Sequence, residues 1–194
     1  MTSQIIGAAL CVGSIDTFHS NIGGGGYALT RFVSNSSASS NNSTGRQNAT
    51  YEMIDFRETM PALGNETLYS NNSNPKASTI GGLAVGVPGE LRGWEMMHQK
   101  HGKLPWADLF QPAIDIAQGG FRVPSQLAVT IAQYNTSFIC ADVYAREVYC
   151  PNGTAGGGGK IIRKPRYAKT LQTIAQEGAD AFYSGAIATN TIAA

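Results

Sequence analysis

Arg57-Glu58-Thr59-Met60-Pro61 places a fixed positive charge beside a carboxylate and closes on a proline. A guanidinium stays charged at any physiological pH, and its planar fork pairs bidentately with a carboxylate or a phosphate. Two readings of Arg57 and Glu58 are open from the residues alone: an ordinary surface ion pair at a strand end, or a reader of an anionic substrate. The run Gly23 to Gly26 could cradle a phosphate. Against that, Tyr27 onward alternates like a strand and no Lys-Ser/Thr follows the glycines, which favours a backbone role near a site floor over nucleotide binding. His98 and His101 stand three apart on a helix without a Glu or third ligand on that face, so they read as helix surface rather than metal ligands. His19, beside the glycine run, is a candidate for lining a pocket. Trp94 and Trp106 read as core.

The elements that must position these groups follow from periodicity. Met1 to Val12 reads as a helix, Tyr27 to Phe32 as a strand, and Tyr51 to Phe56 as its return strand, with the Ser/Asn-rich tract 34–50 inserted in the hairpin. Leu83, Val85 and Val87 alternate like a short half-buried strand, and Pro88 suits the first turn of a helix carrying Leu91, Trp94 and Met97 on one face. A second helix is predicted over Pro105 to Gln118, ended by Gly119. Ser125 caps a further helix, Pro151 to Lys160 is a glycine-rich loop, and Arg166 to Glu177 shows helical spacing again, stopping at Gly178.

Composition narrows the setting. The chain has 194 residues, 42% of them hydrophobic, enough to bury a real core. Its formal charge of +1 argues for neither nucleic acid nor membrane surface as a partner. Acceptor sequons begin at Asn35, Asn41, Asn42, Asn48, Asn65, Asn71, Asn135 and Asn152. Low complexity alone could generate the cluster from Asn35 to Asn48, but Asn65, Asn135 and Asn152 lie outside it. The set predicts passage through a secretory pathway as a glycoprotein, extracellular or membrane-anchored, with the export segment or anchor outside this chain. Cys140 and Cys150 flank a short polar segment; a bridge there would close a loop of about ten residues, worth roughly 2.5 to 3 kcal/mol in the chain-entropy model. Cys11, in an apolar run, reads as a small buried hydrophobe.

Four ordered blocks resemble the gamma-glutamyltransferases, or glutathione hydrolases, in a fungal-like form: HSNIGGGGYAL from His19, DFRETMP from Asp55, GGLAVGVPGELRGWEMMHQKHGKLPWADLFQPAIDIAQGGF from Gly81, and TLQTIAQEGADAFYSG from Thr170. Any one would be weak, because glycine runs are common; the ordered set is strong. The resemblance implies an α+β N-terminal nucleophile hydrolase (αββα) fold. It is incomplete here, with residues 1–194 forming part of the large-subunit domain and helices flanking a small set of strands. It implies an autoprocessed precursor whose new N-terminal threonine attacks γ-glutamyl compounds through an acyl-enzyme, without metal or organic cofactor. Partners would be glutathione, acceptor amino acids or peptides, and the small subunit of the same precursor. Arg57 occupies the position of the R-E-x-x-P arginine that binds the glutamyl α-carboxylate, and Glu58 would orient it or shape the pocket. No Thr-Thr-His-type processing site is present; Thr17-Phe18-His19 aligns to an ordinary connector, so this chain is expected to hold no catalytic nucleophile. Asn21 stands where the family has glycine, and Met60 where it has alanine. Two alternatives remain: an acylase of the same fold acting on another amide, and a non-catalytic secreted binding module.

Overall fold

Helices arise where apolar residues recur every three or four positions, and the two-stranded pairings where they alternate. The computed structural model describes residues 1–33, 49–70, 72–134 and 138–193. Along the chain run α1 (Thr2–Ile15), β1 (Tyr27–Val33), β2 (Ala49–Asp55), a 3-10 turn (Gly82–Ala84), α2 (Glu90–His101), α3 (Trp106–Gly119), β3 (Phe121–Arg122), α4 (Ser125–Tyr134), α5 (Val143–Tyr149), β4 (Ile161–Ile162), α6 (Pro165–Glu177), α7 (Asp180–Tyr183) and α8 (Ala186–Ala193). The architecture is α+β. It divides into two compact units, Met1–Ile22 with Trp94–Ala194, and Gly23–Gly93.

In the first unit α3 packs against both α1 and α6. Leu109, Phe110, Ala113, Ile114 and Ala117 give α3 a continuous buried stripe, and Leu171 and Ile174 do the same for α6. Trp106 is half-buried and donates its indole N–H to the Ile174 carbonyl (3.1 Å). A smaller core of Phe121, Val123, Leu127, Ile131 and Ile162 is built around the antiparallel β3–β4 pair and α4. Cys140 and Cys150 are joined by a disulfide with 5.5 Å between their Cα atoms, fixing the end of α5. At the other end of that helix, the Asp142 carboxylate accepts from the Tyr144 and Ala145 amides.

One buried polar knot in this unit has no counterpart in the sequence reading. Lys164, 5% exposed, donates from Nζ to the Ser14 carbonyl (2.7 Å) in the last turn of α1, where the helix dipole favours a cation. Its ammonium also lies 3.5 Å from Thr17 Oγ1 and over the rings of Phe121 and Tyr149, at 5.3 and 5.6 Å from their centroids. Thr17 Oγ1 and the Tyr149 hydroxyl share a 2.8 Å hydrogen bond. Thr17 is therefore a packing residue of this knot. Burial lowers the Lys164 pKa to about 8 and raises that of Tyr149.

In the second unit β1 and β2 form an antiparallel hairpin in register from Tyr27↔Asp55 to Val33↔Ala49. Ile54 is buried, whereas Tyr27, Leu29, Tyr51 and Met53 stand exposed. Beyond β2 the chain continues extended, and two other segments of the unit are hydrogen-bonded along it. Gly26 and Phe56 exchange both backbone hydrogen bonds (3.2 and 2.9 Å), and so do Thr59 and Val87 (3.2 and 2.8 Å). The Gly24 carbonyl accepts from the amides of both Gly89 (2.9 Å) and Glu90 (3.0 Å). Side chains are excluded where these backbones meet. A Cβ on Gly25 would lie 2.8 Å from the Glu58 amide nitrogen, and one on Gly89 would run into the Phe56 carbonyl.

Several sequence expectations are corrected here. The alternation of Leu83, Val85 and Val87 does not produce a half-buried strand: all three are exposed, Leu83 lies in the 3-10 turn, and only Val87 pairs, through the single bridge to Thr59. Alternation assigns faces to a segment but supplies no partner. Helix α2 starts at Glu90 rather than at Pro88, because the Gly89 and Glu90 amides are directed to Gly24. No residue from Asn21 to Gly26 has positive φ, so the glycines serve close approach rather than left-handed turns, and Asn21 instead donates from its side chain to the Thr17 carbonyl (2.7 Å). The return strand begins at Ala49; residues 34–48 of the expected insertion lie outside the described residues. Cys11 is half-buried, with its thiol pKa raised by burial.

Gly89→Ala should destabilise the protein by about 1 to 3 kcal/mol through overpacking. Gly82→Ala, where an added Cβ meets nothing within 4 Å, should be close to neutral; paired denaturant titrations would check the contrast. Lys164 gives a second expectation. Its folded pKa lies below the 10.5 of the free side chain, so the unfolded state binds more protons between about 8 and 10.5 and stability rises with pH across that window. The contribution is present above the window and lost as pH falls through about 8. Lys164→Met should remove this slope, measurable as a pH-dependent difference in unfolding midpoint from wild type.

Candidate substrate-binding site

Arg57 sits two residues past β2, where Asp55 Oδ1 accepts its amide hydrogen (3.0 Å) and turns the chain out of the hairpin. The backbone on either side is held by the Gly26–Phe56 and Thr59–Val87 pairings, so the base of the side chain has little freedom. Its outer part is open: the side chain is 55% exposed, and Nη1 lies 3.3 Å from Glu58 Oε2. One carboxylate thus steers the guanidinium while much of its donor fork stays available to a ligand.

Glu58 is the more sheltered partner. Its Oε2 is enclosed and accepts no hydrogen bond, so the contact with Arg57 is a charge pair rather than an aligned hydrogen bond. Glu90, the first residue of α2, is 8% exposed. Burial, and secondarily the charge of Glu58, raise the Glu90 pKa to about 7. Arg57 thus pairs with Glu58, which in turn lies within electrostatic reach of the buried Glu90. Sequence reading singled out Arg57 and Glu58 but missed Glu90. Its only signal was an acidic residue after Pro88-Gly89, which is also what a helix N-terminus prefers for its dipole.

The remaining candidates are placed as follows. Asn65 and Asn152 are exposed, whereas Asn35, Asn41, Asn42, Asn48, Asn71 and Asn135 lie outside the described residues. Asn65 Oδ1 accepts from both the amide (3.0 Å) and the hydroxyl (2.9 Å) of Thr67. His19 is exposed and pairs with Asp16 (3.0 Å). His98 contacts the Leu104 carbonyl through Nε2 (2.7 Å) and stands edge-on to Trp106, an arrangement that secures the end of α2. Trp94 is buried, and Met60 is exposed with its side chain over Gly64.

Over 173 residues the chain is 43% identical to a glutathione hydrolase proenzyme from Arthroderma benhamiae, covering 88% of this chain and 27% of that protein. It is 34% identical to glutathione hydrolase proenzyme 1 of Schizosaccharomyces pombe, covering 94% and 26%. It thus spans about a quarter of the length of these curated relatives. Among solved structures, the Helicobacter pylori gamma-glutamyltranspeptidase superposes with a TM-score of 0.82 at 26% identity, covering 98% of this chain and 51% of that one. The family model for gamma-glutamyltranspeptidase matches residues 5–194. With its glycine-clamped Arg57 segment inside that match, this chain belongs to the gamma-glutamyltranspeptidase family.

Proposed function

We propose that the protein containing this chain hydrolyses the γ-glutamyl bond of glutathione, or transfers the γ-glutamyl group to amino acids and peptides, with Arg57 holding the donor's α-carboxylate. The observation that supports this most is the half-exposed guanidinium on a backbone fixed from both sides, with one carboxylate steering it. A planar fork held this way fits a carboxylate better than a flexible ammonium would. The nucleophile is a threonine elsewhere in the precursor. Its oxygen attacks the γ-amide carbon and the amine leaves with a proton; water or an acceptor amine then displaces the threonine oxygen from the acyl-enzyme. The exposed hairpin face of Tyr27, Leu29, Tyr51 and Met53 supports burial against further protein, including the small subunit.

Binding through the α-carboxylate has a specific test. In the complete enzyme, Arg57→Ala should raise KM for glutathione by about 10- to 150-fold, the equivalent of one charge-assisted contact of about 1.5 to 3 kcal/mol. The variant should also lose discrimination against a donor amide lacking the α-carboxylate, and Arg57→Lys should recover only part of the effect. Unchanged discrimination in Arg57→Ala would defeat the assignment.

We also propose that the protein traverses a secretory pathway, a reading supported by the eight sequons, the exposed Asn65 and Asn152, and the Cys140–Cys150 disulfide. Native material should shift in mobility on treatment with an N-glycosidase, and Asn65→Gln should remove one step of that shift. Material in which every sequon asparagine is unmodified would count against it.

A further inference from the structure

Donor binding alone does not account for the buried Glu90, which lies within electrostatic reach of Glu58, the partner of Arg57. A site built to attract a carboxylate gains nothing from a second acid, because each negative charge nearby opposes the ligand. Yet Glu90 is almost fully buried, and its position is dictated by the backbone: its own amide and that of Gly89 are bound to Gly24, while Gly89 rests against the Phe56 and Arg57 carbonyls. Glu58 approaches from the facing segment, its Cβ packed where Gly86 leaves room and its Oε2 enclosed without a hydrogen bond. Glu90 is held away from water, while Glu58 keeps 29% of its side chain exposed with Oε2 turned inward.

We propose that Glu90 is a positioning residue for Arg57, acting through Glu58: protonated Glu90 leaves Glu58 to steer the guanidinium toward the donor carboxylate, and ionised Glu90 weakens that binding. This inference rests on Arg57 being the donor-binding residue. When Glu90 is neutral, the Arg57–Glu58 pair carries no net charge and the free part of the guanidinium fork faces the ligand. When Glu90 is ionised, the cluster carries one net negative charge and Glu58 is pressed against Arg57, so the incoming carboxylate meets both repulsion and a more occupied fork. Donor binding and proton uptake by Glu90 are then linked, and each favours the other.

Among the described residues, the segments next to Glu90 carry a small set of charged groups. The segment after β2 contributes Arg57, Glu58 and Asp55, the last engaged by the Arg57 amide. The glycine run presents only backbone, and α2 itself adds Arg92 and, a turn further on, Glu95. Burial and the charge of Glu58 both favour the protonated form of Glu90, which places its titration at about 7. The protonated form dominates below that pH and is lost above it.

The test compares the complete wild-type enzyme with Glu90→Gln and Glu90→Asp, measuring KM for glutathione from about pH 6 to about pH 8.5. Glutathione's own ionisations are common to all three proteins and cancel in the ratios. Wild-type KM should climb relative to that of Glu90→Gln by several-fold across the range with kcat little affected, and Glu90→Asp should retain the climb. A purely structural role would change activity by the same factor at every pH. In parallel, carboxyl-carbon NMR of the same proteins should show Glu90 titrating near neutrality, with a lower midpoint in Glu58→Gln. A KM ratio that stays constant with pH, or a Glu90 carboxyl that titrates below about 5 or ignores Glu58→Gln, overturns the inference. If the wild-type enzyme releases no γ-glutamyl group, the donor-binding reading of Arg57 falls, and the NMR titration still decides whether the two acids are coupled.

Discussion

The backbone from Phe56 to Thr59 is hydrogen-bonded to two other segments at once, and no side chain fits between them. Glycine at positions 25 and 89 is the condition for that arrangement, since a single methyl group at Gly89 would meet the Phe56 carbonyl. Much else in this unit follows from the clamp. It sets the direction in which Arg57 leaves the chain, brings Gly89 against the Arg57 carbonyl, and fixes where α2 can begin. A reader of carboxylates needs its donors pre-placed, because ordering a long side chain at the moment of binding costs about as much as one hydrogen bond returns. Here rigidity is supplied by main chain rather than by a shell of packed side chains, which leaves the outer guanidinium open.

Charge is handled differently in the two units. Lys164 is buried against a helix-end carbonyl and two aromatic faces, so its cost of desolvation is offset by fixed dipoles and ring quadrupoles. Its role is to hold the end of α1, and the shift in its pKa is a by-product of that task. Arg57, Glu58 and Glu90 are instead left incompletely satisfied: one enclosed carboxylate oxygen accepts no hydrogen bond, and a buried acid titrates near neutrality. Only the Arg57 guanidinium, 55% exposed, keeps donors that an anionic ligand could meet.

Much of the fold was legible from the chain. The helical spacing of Trp106, Leu109, Ala113 and Ala117 announced α3, Leu171 and Ile174 announced α6, and alternation across Tyr27–Phe32 and Tyr51–Phe56 announced the hairpin, because periodicity records which face of an element will be covered. The Arg57-Glu58 motif was legible too, as a short signature within an ordered set of blocks. What failed were features that depend on distant partners. Leu83, Val85 and Val87 alternate correctly for a strand yet stay exposed with a single bridge, and nothing in the glycine run says which distant backbones it approaches.

The sequence by itself determined most element types, the family resemblance and the Arg57-Glu58 motif, since these depend on local periodicity and on residues adjacent in the chain. Tertiary structure alone decided that Glu90 comes within electrostatic reach of Glu58, and that Lys164 meets Ser14, Thr17 and Tyr149. Glu58 and Glu90 are separated by thirty-two positions, and Lys164 and Ser14 by 150. Burial and electrostatic coupling are properties of spatial neighbourhood, and no local pattern encodes which distant backbone will close around a given carboxyl or ammonium.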